Sequence, residues 1–427
     1  MNSQNIYRFI YTLSLIIAIN INTFASDNVF YKNRVFRSNI KTTQLFNSKS
    51  NLSYPVIELN SDEQLTLLFD ELSDESKDYY YTVKHCTSNW QESFLQPYDY
   101  IEGFDNQPID NFEHSFNTNI SYINYQVNIP NDDFQLKISG NYVIIVYENN
   151  DMENIVLTQR FSVYQSRISL NTTLKKATFD GANPKNQELD FSILHPDYTI
   201  TNPHDEISVH VLQNGRSDTE RTFNKPQYIR EKTLVYDFEK ENIYPGENEF
   251  RYFNCKNLKI VTENIAQISY HQPYTHFTLQ PEEIRSFKDY EYYDELNGKF
   301  AIDCRQGNEP RLEADYVWVH FTLYMESPLI GGNIHIFGGL TNWTLSPDTK
   351  MTYNIEQRRY EGQLLLKQGY YNYQYAFVNE NGITTQNIEG SHYETENDYQ
   401  IFVYHKSYSE RYEQLIGYKL VNTRKGL

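Results

Sequence analysis

The sequence predicts an all-β protein built of tandem immunoglobulin- or fibronectin-like β-sandwich domains. Three observations predict it. Apolar residues recur with period two, which places alternate side chains on opposite faces of a strand. Turn-forming residues separate these runs at the short intervals of a sandwich. Helical periodicity is nearly absent, so no crossover helices interrupt the strands. Composition agrees with this, because 38 of the 427 residues are tyrosine and 25 are phenylalanine, and aromatic side chains fit a half-buried pleated surface.

Residues 1–25 read as a secretory signal peptide. Arg8 supplies the one positive charge, Phe9 to Ile21 is largely apolar, and Thr23 and Ala25 place small residues before a cut at Ser26. The apolar run of about 13 residues is too short for a hydrocarbon core that needs roughly 20. No cysteine follows it, which disfavours a lipid-anchored precursor. Cleavage leaves 36 basic against 56 acidic residues, a net charge of −20. That balance argues against nucleic acid, whose phosphates require basic stripes.

Three domains follow from the length. The first, 26–165, carries the alternating run Ile123, Tyr125, Val127, Ile129 and the wholly apolar run Tyr142–Tyr147, the pattern of a central strand buried on both faces. The second, 166–285, holds strands near 167–174, 187–193, 206–213, 233–238 and 247–254. There Ile207, Val209 and Val211 oppose Ser208 and His210. The third, 286–427, is early-set-like and contains the alternation Val317, Val319, Phe321, Leu323. Residues 281–297, acidic and aromatic, read as a linker. Asn214-Gly215 and Asn381-Gly382 carry the strongest hairpin signals, since a type I′ turn needs positive φ at both central positions.

Chemistry-bearing candidates are sparse. His85, Cys86 and Trp90 form the sharpest local cluster, but zinc takes about four ligands, and adjacent strand residues point to opposite faces. The expectation is therefore structural, with Trp90 covering the core edge, and no metal. Cys86 reads as a small buried apolar residue, whereas Cys255 and Cys304 could pair in an oxidising compartment, a point the sequence leaves open. The sequence contains no nucleophile elbow, zinc-protease motif or phosphate loop. Acid pairs such as Asp132-Asp133 and Glu282-Glu283 are neighbours that do not converge. No catalytic residue, cofactor or metal ligand is assigned, and the protein reads as non-enzymatic.

Two stretches invite a binding role. The strand Tyr316, Trp318, His320, Thr322, Tyr324 has an apolar opposite face, so its aromatic face is free to meet another domain or a partner. Residues 333–382 read Ile336-Phe337-Gly338-Gly339-Leu340-Thr341-Asn342-Trp343, then Met351, then Gly369-Tyr370-Tyr371-Asn372-Tyr373-Gln374-Tyr375. This resembles the early-set sandwich of glycogen- and starch-binding modules, in which Trp343, Tyr371, Tyr373 and Tyr375 would stack on sugar rings. The alternation of Tyr371, Tyr373, Tyr375 and Phe377 equally describes one core face.

The motifs from Tyr79 to Phe161 are the least generic. They are Tyr-Thr-Val-Lys-His-Cys-Thr-Ser-Asn-Trp (81–90), Tyr-Asp-Tyr-Ile-Glu-Gly-Phe (98–104), Ser-Phe-Asn-Thr (115–118), Tyr-Ile-Asn-Tyr (122–125), Ile-Ser-Gly-Asn-Tyr (138–142) and Arg-Phe (160–161). This block resembles the plug proteins of the type IX secretion system, the export pathway of the Bacteroidetes. The resemblance implies a monomeric periplasmic protein, peripherally associated with the outer membrane. It would seal the periplasmic mouth of the translocon barrel when no cargo is engaged. It names no contact residues, leaving the partner-binding surface unknown. The alternative is a carbohydrate-binding periplasmic or surface protein acting through the third domain.

Overall fold

The computed structural model describes residues 31–178, 185–238 and 240–426. The expected signal peptide lies outside them. Among the described residues the strands form three two-sheet sandwiches and a separate two-stranded sheet, and no helix is long and apolar enough to cross a membrane.

In the first sandwich, Gly140–Glu148 is flanked by Tyr79–Cys86 and Ile155–Tyr164, all antiparallel. The facing sheet runs in the order Ile40–Asn47, Leu65–Glu71, Ile123–Ile129, Phe112–His114. Alternation decides which side chains meet. Leu65, Leu67, Phe69, Tyr125 and Val127 pack against Val83, Tyr142, Ile144, Val146 and Phe161. Val143, Ile145 and Tyr147 are buried on the reverse face with Cys86 and Tyr31. The apolar run 142–147 is thus a central strand covered on both sides, as its lack of polar alternation predicts.

The second and third sandwiches depart from the expected boundaries. Ile207–Gln213 pairs antiparallel with Asp398–His405, which pairs with Gln414–Asn422. This sheet closes over the one containing Ser169–Lys176, Asn186–Leu194 and Thr233–Tyr236. Arg251–Asn254 pairs instead with Gly369–Asn379, and Tyr274–Leu279 pairs parallel with Tyr316–Tyr324. The third sandwich is therefore inserted into the second, and contiguous domains at 166–285 and 286–427 give way to an interrupted one. Local alternation specifies which face of a strand is buried but not which distant strand lies beside it.

The segment expected as a linker belongs to the third sandwich's edge. Glu282–Glu283 pairs with Leu323 and Tyr324, and the Arg285 side chain donates to Glu389. Asn214 and Gly215 both have positive φ, but the chain then passes through a short 3-10 turn at Ser217–Thr219 before pairing resumes at Arg221. At the other predicted turn, Gly382 pairs with Asn379, so Glu380 and Asn381 form the loop and only Gly382 has positive φ. All three cysteines are buried free thiols, so Cys255 and Cys304 are not bridged.

Candidate partner-binding surface

His85 and Cys86 end the strand Tyr79–Cys86 and point to opposite faces. His85 enters the main core among the rings of Tyr100, Tyr142 and Tyr412, at centroid distances of 5.8, 5.0 and 5.6 Å. Burial lowers its pKa to about 4. Cys86 joins the reverse-face cluster, where burial pushes its thiol up to about 12. Such a thiol is an inert packing group, and the two residues cannot share an ion. Trp90, in a left-handed conformation with φ 59°, borders that cluster. The Arg160 guanidinium lies 4.3 Å from its ring centroid, a favourable cation–π geometry.

Beyond Trp90 the chain makes an excursion that alternates anchors with exposed aromatics. Leu95, Tyr100 and Ile101 are buried. Between and beyond them, Phe94 is 95% exposed, Tyr98 72% and Phe104 73%. The backbone beneath is held firmly. Ile101–Gly103 pairs with Phe134–Leu136, and Lys137 Nζ donates to the Tyr98 carbonyl at 2.8 Å. Gly103 has φ 101°, and a Cβ there would sit 2.1 Å from the Asp133 carbonyl oxygen, so only glycine fits this turn.

A distant segment docks on this region. The loop between Asp398–His405 and Gln414–Asn422 reaches from the second sandwich onto the same excursion. Tyr412 packs on His85, Glu413 Oε2 accepts the Ser88 amide at 2.5 Å, and Arg411 lies 3.5 Å from Asp99. This loop carries the fully exposed Tyr408. Large apolar side chains held in water on an ordered backbone mark contact surfaces, and aromatic residues are enriched among the anchors of such interfaces. Tyr98 and Phe104 open and close the motif Tyr-Asp-Tyr-Ile-Glu-Gly-Phe, whereas Phe94 and Tyr408 carry no periodic signal that would have singled them out.

The other candidates are occupied structurally. Tyr371, Tyr373 and Tyr375 are buried in the third core, so the core-face alternative holds and none is available to a sugar. Trp343 is half-buried, packed edge-on against Phe250 and Phe337, with the Arg216 guanidinium 5.6 Å from its ring. The strand Tyr316–Tyr324 divides its uses. Tyr316 donates to Asp70 of the first sandwich at 2.7 Å. Trp318 lines a cleft of about 1080 Å3 between residues 32–43 and the third sandwich. His320 hydrogen-bonds His276, and Tyr324 is exposed. Asp132 and Asp133 sit exposed in a turn. Glu282 accepts the hydroxyls of Tyr373 and Tyr375 at 2.7 and 2.8 Å, while the exposed Glu283 pairs with Lys288 at 3.2 Å.

Comparison with known proteins bears on this surface. Residues 40–165 match the family model described as type 9 secretion system plug protein, first domain. That span contains the whole excursion from Trp90 to Phe104. A crystal structure of a hypothetical protein from Parabacteroides merdae superposes with a TM-score of 0.89 at 36% sequence identity, covering 92% of this chain and all of that one. A search of curated proteins finds no match.

Proposed function

We propose that this chain, which belongs to the type IX secretion system plug protein family, occludes the periplasmic mouth of the outer-membrane translocon barrel while no cargo is engaged. Family membership ties the chain to type IX secretion. The observation that carries the finer reading is the aromatic excursion within the matched span 40–165. It combines an anchored backbone with Phe94, Tyr98 and Phe104 in water. Occlusion needs shape and rigidity rather than chemistry. The sandwiches are joined by buried contacts such as Lys367 with Asp70 and Tyr54 with Asp398, which suits a body that must hold its outline against a wide pore. The protein acts as a non-enzymatic periplasmic component, peripheral to the outer membrane, and departs when cargo engages the barrel.

Affinity purification of the tagged barrel from native outer membranes tests this directly. The expected result is recovery of this chain with cargo-free barrels at about one copy each, and its depletion from cargo-loaded ones. Absence from every barrel complex overturns the proposal.

A further inference from the structure

Three histidines share the outer face of the third sandwich. His276 Nδ1 lies 2.8 Å from His320 Nε2, with the rings edge to edge, 17° from parallel and 5.2 Å between centroids. The His271 ring stands edge-on to His276 at 4.9 Å, and its Nε2 is 3.2 Å from the Ser269 hydroxyl. The three side chains rise from three adjacent strands, Ile265–His271, Tyr274–Leu279 and Tyr316–Tyr324. The paired backbones therefore hold the cluster together. His276 and His320 are half-buried and His271 is exposed.

We propose that His271, His276 and His320 form a binding site for a divalent transition metal of the zinc, nickel or copper class. One proton lies between the facing nitrogens of His276 and His320. A metal ion replaces it when each ring offers a lone pair, and imidazole is a preferred ligand of these ions. With zinc–nitrogen bonds of about 2.0–2.1 Å, tetrahedral geometry separates two ligand nitrogens by about 3.3 Å. The present contact opens by about 0.5 Å while each ring turns so that its lone pair points at the ion. His271 becomes the third ligand by rotating its exposed ring away from Ser269, a rearrangement that displaces no core side chain. The fourth position faces solvent and is left to water or to a ligand from outside the chain. Carboxylate-preferring ions such as calcium and magnesium are disfavoured by an all-nitrogen set.

Calorimetric titration of the full mature chain with zinc chloride tests the site. The expected result is one zinc per chain, with affinity lowered at least about tenfold by His276→Ala or His320→Ala and unchanged by His114→Ala in the first sandwich. Copper(II) supplies a second readout. Its binding quenches Trp318, whose Cα is the register partner of His276, and zinc reverses the quench by competition. Zinc should also raise the melting temperature of the wild-type chain but not of the His276→Ala and His320→Ala variants. If those variants bind zinc as the wild type does, or if copper leaves Trp318 emission unchanged, the proposal fails.

Discussion

Lys367 Nζ lies 2.7 Å from Asp70 Oδ2, joining the third sandwich to the first across 297 residues of chain with both side chains buried. The same carboxylate oxygen accepts the Tyr316 hydroxyl at 2.7 Å, and Oδ1 accepts the Asn124 amide at 2.7 Å. The ammonium also donates to the Arg311 carbonyl at 2.7 Å and sits 4.0 Å from the Tyr122 ring centroid. Each charge thus has several partners, the condition under which a buried pair offsets the cost of leaving water.

Removing one partner strands the other. Asp70→Asn leaves the ammonium without a counter-charge, and Lys367→Met leaves the carboxylate so. Each should cost about 3–5 kcal/mol of unfolding free energy. The double variant should cost much less than the sum of the two, because no buried charge remains. Denaturant unfolding of the four proteins gives the coupling energy, and additive losses would show that the pair does not act as a unit.

His85 imposes a pH dependence of known sign. Burial holds its folded pKa near 4, against about 6.5 in the unfolded chain. Between those values the unfolded chain binds more protons, so stability falls as the pH is lowered through that window. The full loss is about 3 kcal/mol. His85→Leu should flatten this acid limb in urea unfolding series between pH 7 and pH 4. An unchanged slope would mean that the imidazole stays neutral for another reason or is more hydrated than its surroundings indicate.

Glu249 produces the opposite slope. Burial above all raises its pKa to about 7, against the favourable hydroxyl of Tyr290 at 2.5 Å from Oε1. Its Oε2 is buried and without a partner. The folded chain therefore binds the proton more tightly than the unfolded one, whose Glu titrates near 4.3. This contribution is fully present below about pH 4.3 and is lost as the pH rises through 7, a change of about 4 kcal/mol. Glu249→Gln should reduce the decline on that limb, which Glu295, also raised by burial, shares, and leave the His85 limb intact. Measuring both variants across one pH series separates the two groups.

How far the sequence discloses this protein depends on the range of the interaction. The period-two runs at 123–129, 207–211 and 317–323 disclose buried faces, because a pleated backbone allows nothing else. The alternation of Tyr371, Tyr373 and Tyr375 likewise points to a core face. The insertion of one sandwich into another was not legible. Ile207–Gln213 finds its partner at Asp398–His405, and no local pattern encodes that distance. The same holds for the candidate surface. Tyr98 and Phe104 sit in a motif, but their exposure follows from the turn at Gly103 and the burial of Tyr100. The loop that carries Tyr408 reaches the first sandwich only because Arg411, Tyr412 and Glu413 dock there.

The exposed aromatics should separate binding from stability. Phe94, Tyr98 and Phe104 bury little in the free chain, so replacing all three with serine should change the unfolding free energy by no more than about 0.5 kcal/mol per site. If these rings seat in the barrel, the same substitutions remove interface anchors, and hot-spot aromatics are worth about 2 kcal/mol or more each. The triple variant should then be lost from barrel complexes while its melting temperature is retained. Changing Tyr324, exposed on the third sandwich, to serine controls for nonspecific effects and should leave barrel recovery unaltered. Retention of the triple variant at wild-type levels would move the contact surface elsewhere on the molecule without touching the question of whether the chain binds the barrel at all.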